Sequence, residues 1–241
     1  MTRLLVQGGI WGFGLLLALV VGAGLFVHPH WQPGFWLNLF CGISLSASKY
    51  GMPLMLLLFL WWARPARRRI LPLLLPLLLL LGLGAALNEH VIKPAFAQPR
   101  PNIEYLAAQG VLELSEYDFY QYSKARRSAI LQRQLAEYND LPPLLRQHWT
   151  AESGFSFPSG HSFAAVGLAF FSLLYALQTQ RSLTSVLPWL LWAVSVGWSR
   201  LYLGVHRVED IAAGAAQGML VAVLAFLVYS WWANKAAAGA P

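Results

Sequence analysis

The sequence predicts an all-α integral membrane protein, a six-transmembrane-helix bundle with a polar helical insertion between its third and fourth spans. Of its 241 residues, 57% are hydrophobic and only 11% charged, whereas a soluble domain carries roughly a quarter charged residues. The apolar residues gather in stretches close to the ~20 residues a helix needs to cross a bilayer. An arginine-rich segment between two of these stretches, holding Arg64, Arg67, Arg68 and Arg69, supplies an orientation signal. The chain therefore reads as one membrane domain over residues 1–241.

The first span, about 5–27, follows Arg3. A charged start and an apolar run resemble a signal peptide. The run from Leu4 to Val27 exceeds a signal core and lacks a small-x-small site before a polar segment, so it reads as an uncleaved span. The second, about 46–63, is diluted at one end by Ser46, Ser48 and Lys49. The third, about 70–90, is leucine-rich; Pro72 and Pro76 near its start are tolerated in a membrane helix.

Residues 94–160 form the one sizeable polar region. Within it, Tyr122 to Glu137 sets Ala125, Ala129, Ile130, Leu131 and Leu135 against Lys124, Arg126, Arg127 and Arg133. That pattern fits a basic amphipathic helix on a lipid surface, or equally a packed helix with one solvated face. Leu141-Pro142-Pro143 ends it. The remaining spans fall at about 161–179, 185–203 and 210–232, and the Ala236–Ala240 tail reads as frayed.

Short-loop cations face the cytoplasm. The arginines at 64–69 therefore set that side, and Arg3, Arg181 and Lys235 lie on it too, which makes both termini cytoplasmic. The 28–45 connection, the 94–160 region and the 204–209 turn fall on the opposite, extracytoplasmic face. In so apolar a chain, the net charge of +7 points to anionic lipid or a phosphorylated ligand rather than nucleic acid. Cys41 is the single cysteine, which excludes an intrachain disulfide or a cysteine metal site. Tryptophans 11, 61, 62, 231 and 232 suit interfacial belts.

Three segments at the ends of apolar stretches carry the chemistry. They are Lys93 to Pro101 with Arg100, then Pro158-Ser159-Gly160-His161, then Ser199-Arg200 through His206 to Asp210. Cleavage of a phosphate ester spreads negative charge over three equatorial oxygens and calls for fixed cations and backbone donors. Lys93, Arg100 and Arg200 are the available cations. The Ser159-Gly160 turn opens the fourth span, so its amides form an anion-binding helix start. Asp210, four residues after His206, suits a carboxylate that fixes the imidazole tautomer and leaves Nε2 as a nucleophile. His161, beside the phosphate turn, suits the acid for the leaving oxygen.

Together these segments resemble the three-part signature of the type 2 phosphatidic acid phosphatase superfamily: K-x6-R-P, P-S-G-H and S-R-x5-H-x3-D. The resemblance implies a six-helix core and metal-free, cofactor-free chemistry through a phosphohistidine. It implies His206 as nucleophile, Asp210 as its partner and His161 as acid and base. Lys93, Arg100, Ser159, Gly160 and Arg200 become phosphate ligands. The stretches Phe119-Tyr120 to Arg127, Gln134 to Glu137, Leu145 to Trp149 and Gly154 to Phe157 resemble the phosphatidylglycerophosphatase B branch of Gram-negative bacteria. That branch implies phosphatidylglycerol phosphate and undecaprenyl pyrophosphate as substrates, with the lipid entering sideways from the bilayer. It also implies an active site facing the periplasm from the inner membrane.

Other readings of the same residues stand beside this one. Lys93 and Arg100 also fit interfacial snorkelling. His161, His206 and Asp210 also fit a two-histidine-one-carboxylate metal site, which the neighbouring cations would oppose. The phosphohistidine also serves a phosphotransferase acting on an acceptor lipid such as lipid A, or the cations an anion transporter. A haloperoxidase on these residues would need vanadate. Lys49 is a candidate lipid-phosphate contact. Glu152 and Glu209 read as solvated charges, Arg207 as a headgroup or water contact, Glu89 with His90 as a structural pair, and His28, His30 and His148 as boundary residues. Oligomeric state leaves no mark in the sequence.

Overall fold

The computed structural model describes residues 2–23, 31 and 33–238, and His28 and His30 lie outside that set. Among the described residues the regular structure is all helical, in the order α1 (Thr2–Ala23), α2 (Phe35–Ser46), α3 (Met52–Ala63) and α4 (Arg67–Leu87). After a π-helical turn at Asn88–Ile92 come the short helices α5 (Lys93–Phe96), α6 (Pro101–Ala108), α7 (Glu116–Gln121), α8 (Lys124–Ala136) and α9 (Pro143–Ala151). The chain then forms α10 (Gly160–Gln178), α11 (Leu187–Tyr202) and α12 (Val208–Ala238).

Among the described residues, three helical stretches are long and apolar enough to cross a membrane: Arg67–Phe96, Gly160–Gln178 and Val208–Lys235. Val6–Gly22, Phe35–Ser46 and Met52–Ala63 are shorter apolar helices. Helix α10 is central and buried along nearly its whole length, packed on α12, α4, α11 and α1. Apolar side chains such as Ile10, Phe13, Leu71, Leu83 and Leu220 remain exposed on the outer helices. Such a surface suits hydrocarbon rather than water.

The expected second span, 46–63, is not one helix. The chain turns at residues 47–51, and a helix forms on each side: α2, within the expected 28–45 connection, and α3. Each has 12 residues, about 18 Å of helix at ~1.5 Å per residue, less than the ~30 Å hydrocarbon core. Two residues explain the break. A Cβ at Gly51 would lie 2.4 Å from the Leu45 carbonyl oxygen, so only glycine permits this turn. Pro53, in the first turn of α3, lacks the N–H that would carry a helix through from residue 49.

Region 94–160 folds over one end of the bundle around an apolar core of its own. Ile103, Leu106, Phe119, Leu131, Leu135, Leu145 and Trp149 are buried there with Leu37 of α2 and with Leu203 and Val205 of the α11–α12 turn. Trp149 Nε1 donates to the Leu203 carbonyl at 2.7 Å, and Trp31 Nε1 to that of Tyr202 at 2.6 Å. Helix α8 lays its apolar side on α9, the packed alternative rather than the lipid-surface one. Arg127, expected on its polar side, is instead buried, with its guanidinium over the rings of Tyr120 and Phe155. Cation–π attraction and the stacked Tyr120–Phe155 pair explain how a charge is accommodated there.

Candidate active site

The third segment folds back on itself between α11 and α12. Arg200 lies in the last turn of α11, and Gly204, at φ +67°, reverses the chain. A Cβ at Gly204 would meet the Trp31 ring at 2.8 Å, so both its backbone and its space require glycine. His206 follows at once, and Asp210 sits in the first turn of α12, where the helix dipole favours a carboxylate. His206 Nδ1 lies 3.2 Å from Asp210 Oδ2, which also accepts the Arg207 amide at 2.8 Å. Both side chains are almost fully buried.

Arg100 makes the histidine tautomer legible. Its Nε donates to the Gly154 carbonyl at 2.9 Å and its Nη1 to that of Val205 at 3.0 Å. The same Nη1 is 3.2 Å from His206 Nε2. A guanidinium has only donors, so Nε2 must present its lone pair. Nδ1 then carries the proton and donates it to Asp210. Burial, followed by the charges of Arg100 and Arg200, pushes the His206 pKa well below its ordinary value, so the ring is neutral at pH 7.

Ser159 caps α10: its Oγ accepts the Ser162 amide at 3.3 Å and the Ser162 hydroxyl at 3.1 Å. Its own amide donates to the Asp210 carbonyl at 2.9 Å. That donor is spent on the protein, and the Gly160 and His161 amides, next in the first turn, have no intrahelical acceptor. A Cβ at Gly160 would point into open space. His161 lies in the same turn, with Arg200, Glu152, His148 and Arg100 as its charged surroundings.

Lys93, placed by the π-helical turn, is buried and ion-paired to Glu89 at 3.0 Å. Glu89 also binds Lys124 at 2.5 Å, so its partners are these two lysines rather than the expected His90. Lys49 is exposed, 5.0 Å from the Tyr50 ring, with no ion pair or hydrogen bond to these residues. Arg207 binds the Pro99 carbonyl at 2.9 Å and the Glu104 carboxylate, and Glu209 is exposed as expected. Among the described residues, no three His, Cys, Asp or Glu side chains are grouped as metal ligands.

Two residues read as peripheral are central. Glu152, expected in solvent, is 13% exposed, with one oxygen 3.0 Å from Arg100 Nη2 and the other on Arg200 Nη2. His148, four residues earlier on α9, sets Nε2 3.3 Å from Arg200 Nη1 and 4.0 Å from Glu152. Burial pulls the Glu152 carboxyl upward, but Arg200 and Arg100, then His161 and His148, outweigh it and hold it well below the usual carboxylate range. Burial first, and Arg200 second, push the His148 pKa down to about 4. The i,i+4 spacing of His148 and Glu152, just before the P-S-G-H segment, was the one signal available to sequence reading. Ser44 of α2 completes the shell by accepting from Arg200 Nη1 at 2.5 Å.

The helical bundle thus brings a carboxylate-oriented histidine and two guanidiniums together at its loops. Residues 73–234 match the PAP2 superfamily, and the chain belongs to that family. It is 33% identical over 230 residues to phosphatidylglycerophosphatase B of Escherichia coli K12, an alignment covering 89% of this chain and 86% of the relative. The corresponding protein of Haemophilus influenzae is 30% identical over 142 residues, covering 57% of this chain and 55% of the relative. The lipid A 4'-phosphatase of Bacteroides thetaiotaomicron is 43% identical over 65 residues, covering 27% of each.

Proposed function

We propose that this chain is a membrane lipid phosphatase that hydrolyses terminal phosphate or pyrophosphate groups through a phosphohistidine at His206, without metal or cofactor. The observation that carries the reading is the His206 ring held with Nδ1 on Asp210 Oδ2 and Nε2 on Arg100 Nη1. Family membership and a relative matched over most of its length support a phosphatase. Phosphatidylglycerol phosphate and undecaprenyl pyrophosphate are the proposed substrates, met at the periplasmic face of the inner membrane.

His206 Nε2 attacks phosphorus in line with the bridging oxygen, and the P–O bond breaks as the N–P bond forms. His161, protonated once the phosphate dianion lies beside it, gives its proton to the departing oxygen, releasing the dephosphorylated lipid. Neutral His161 then takes a proton from water, whose oxygen attacks phosphorus and breaks the N–P bond. Inorganic phosphate leaves and both rings return to their starting states. Arg100, Arg200, Lys93 and the Gly160 and His161 amides stabilise the equatorial oxygens throughout.

The test is phosphate release by purified protein in detergent with EDTA, on both lipids, beside His206→Ala. The expected result is EDTA-resistant release that the variant lowers by about 10⁴–10⁶-fold. Absence of release from either lipid would overturn the reading.

A further inference from the structure

The Arg100–Arg200 clamp already holds an anion. One Glu152 oxygen binds Arg100 and the other binds Arg200, as two oxygens of a phosphate would. Arg100 spends Nε on the Gly154 carbonyl and Nη1 on the Val205 carbonyl and His206, so Nη2 is the nitrogen it turns to Glu152; Arg200 spends Nη1 on Ser44 and His148, and its Nε has no partner among the described residues. An incoming phosphate that bridges both guanidiniums therefore meets Glu152 at Arg100 Nη2. Glu152 is the C-cap of α9, at the head of the connection to α10, and its amide rather than its carboxylate holds the Trp149 carbonyl, so displacement of the carboxylate asks only for a side-chain rotation.

We propose that Glu152 is the resident anion of this clamp and its charge filter: a terminal phosphate displaces it, whereas the phosphodiesters of the surrounding bilayer do not. The proposal rests on the phosphatase reading above. A phosphodiester carries one negative charge, so exchanging it for the carboxylate gains no attraction and strands Glu152. A terminal phosphate carries close to two at neutral pH and adds a second attraction to each guanidinium. Membrane lipids that share the headgroup chemistry, and greatly outnumber the substrate, are thereby kept out of the site.

The test compares inorganic phosphate with dimethyl phosphate as ligands at pH 8, by calorimetry and by competition against turnover, in a phospholipid-free detergent. The wild type is expected to bind inorganic phosphate at least about tenfold more tightly than dimethyl phosphate, a difference of about 1.4 kcal/mol. Glu152→Gln is expected to bind both anions more tightly, to narrow their ratio by about tenfold, and to become inhibited by added phosphatidylglycerol. Should that variant not fold, Glu152→Asp, whose carboxylate stops one methylene short of the clamp, is expected to shift in the same direction by less. Equal binding of the two anions by the wild type, or weaker phosphate binding by the variants, overturns the filter. Phosphate binding with diester exclusion intact in Glu152→Gln overturns this proposal alone. Absence of phosphate binding to the wild type overturns the phosphate site and the filter with it.

Discussion

The backbone amide of Ser159 donates to the backbone carbonyl of Asp210 at 2.9 Å. This bond ties the phosphate turn at the start of α10 to the first turn of α12, which carries the partner of His206. Side-chain substitutions leave it in place, so the two segments stay in register while their chemistry is tested.

Asp210→Asn should therefore fold and still fail. The amide can offer Nδ1 a donor instead of an acceptor, favouring the tautomer with Nε2 protonated and its lone pair lost. Turnover is expected to fall about 10³–10⁴-fold with little change in thermal stability. Parallel rate and melting measurements check both halves.

The close approach of α12 to α10 rests on two glycines. A Cβ at Gly214 would lie 2.3 Å from the Ser159 carbonyl oxygen, and one at Gly218 2.4 Å from that of Phe163. This small-xxx-small pair lets the backbones touch. Gly214→Val should cost about 1–3 kcal/mol and lower turnover by parting the two segments. Gly9→Ala, where a Cβ meets nothing within 4 Å, is the control and should melt like the wild type.

Trp149 couples the polar region to the site, since it is fully buried and hydrogen-bonded to Leu203, three residues before His206. Trp149→Ala should destabilise by about 3–5 kcal/mol. Trp149→Phe keeps most of the packing but strands the Leu203 carbonyl, at about 1–3 kcal/mol. Denaturation in detergent would separate the two.

Acid should weaken the fold through His148. Its pKa is about 4 in the folded protein against an ordinary 6.5, so below pH 6.5 the unfolded chain takes up a proton that the folded state refuses. Nothing is lost above pH 6.5. Between pH 6.5 and about 4 this residue should lower stability by about 1.4 kcal/mol per pH unit, and below that its effect levels off. His206, also depressed, acts in the same direction. Glu152, held low, keeps its contribution until the pH falls below its ordinary 4.5. Melting temperatures from pH 8 to 5 should therefore decline, and His148→Gln should flatten the decline.

The sequence by itself determined the helical class, the polar region and the three motif segments, because hydrophobic runs and local spacing record them. Asp210 four residues after His206, and Ser159 at the start of an apolar run, are local relationships that one helix turn realises. Tertiary structure alone decided the rest. Arg100 meets His206 across 106 positions, and Arg200 meets Glu152 across 48. A lone glutamate after α9 reads as solvated until two distant guanidiniums fold against it. Arg127 likewise looks like a surface charge until the rings of Tyr120 and Phe155 enclose it. The turn at 47–51 that separates α2 from α3 depended on whether a neighbouring backbone crowded Gly51. Pattern reports what each residue prefers in water or lipid, and only the folded chain decides which charge stands beside which.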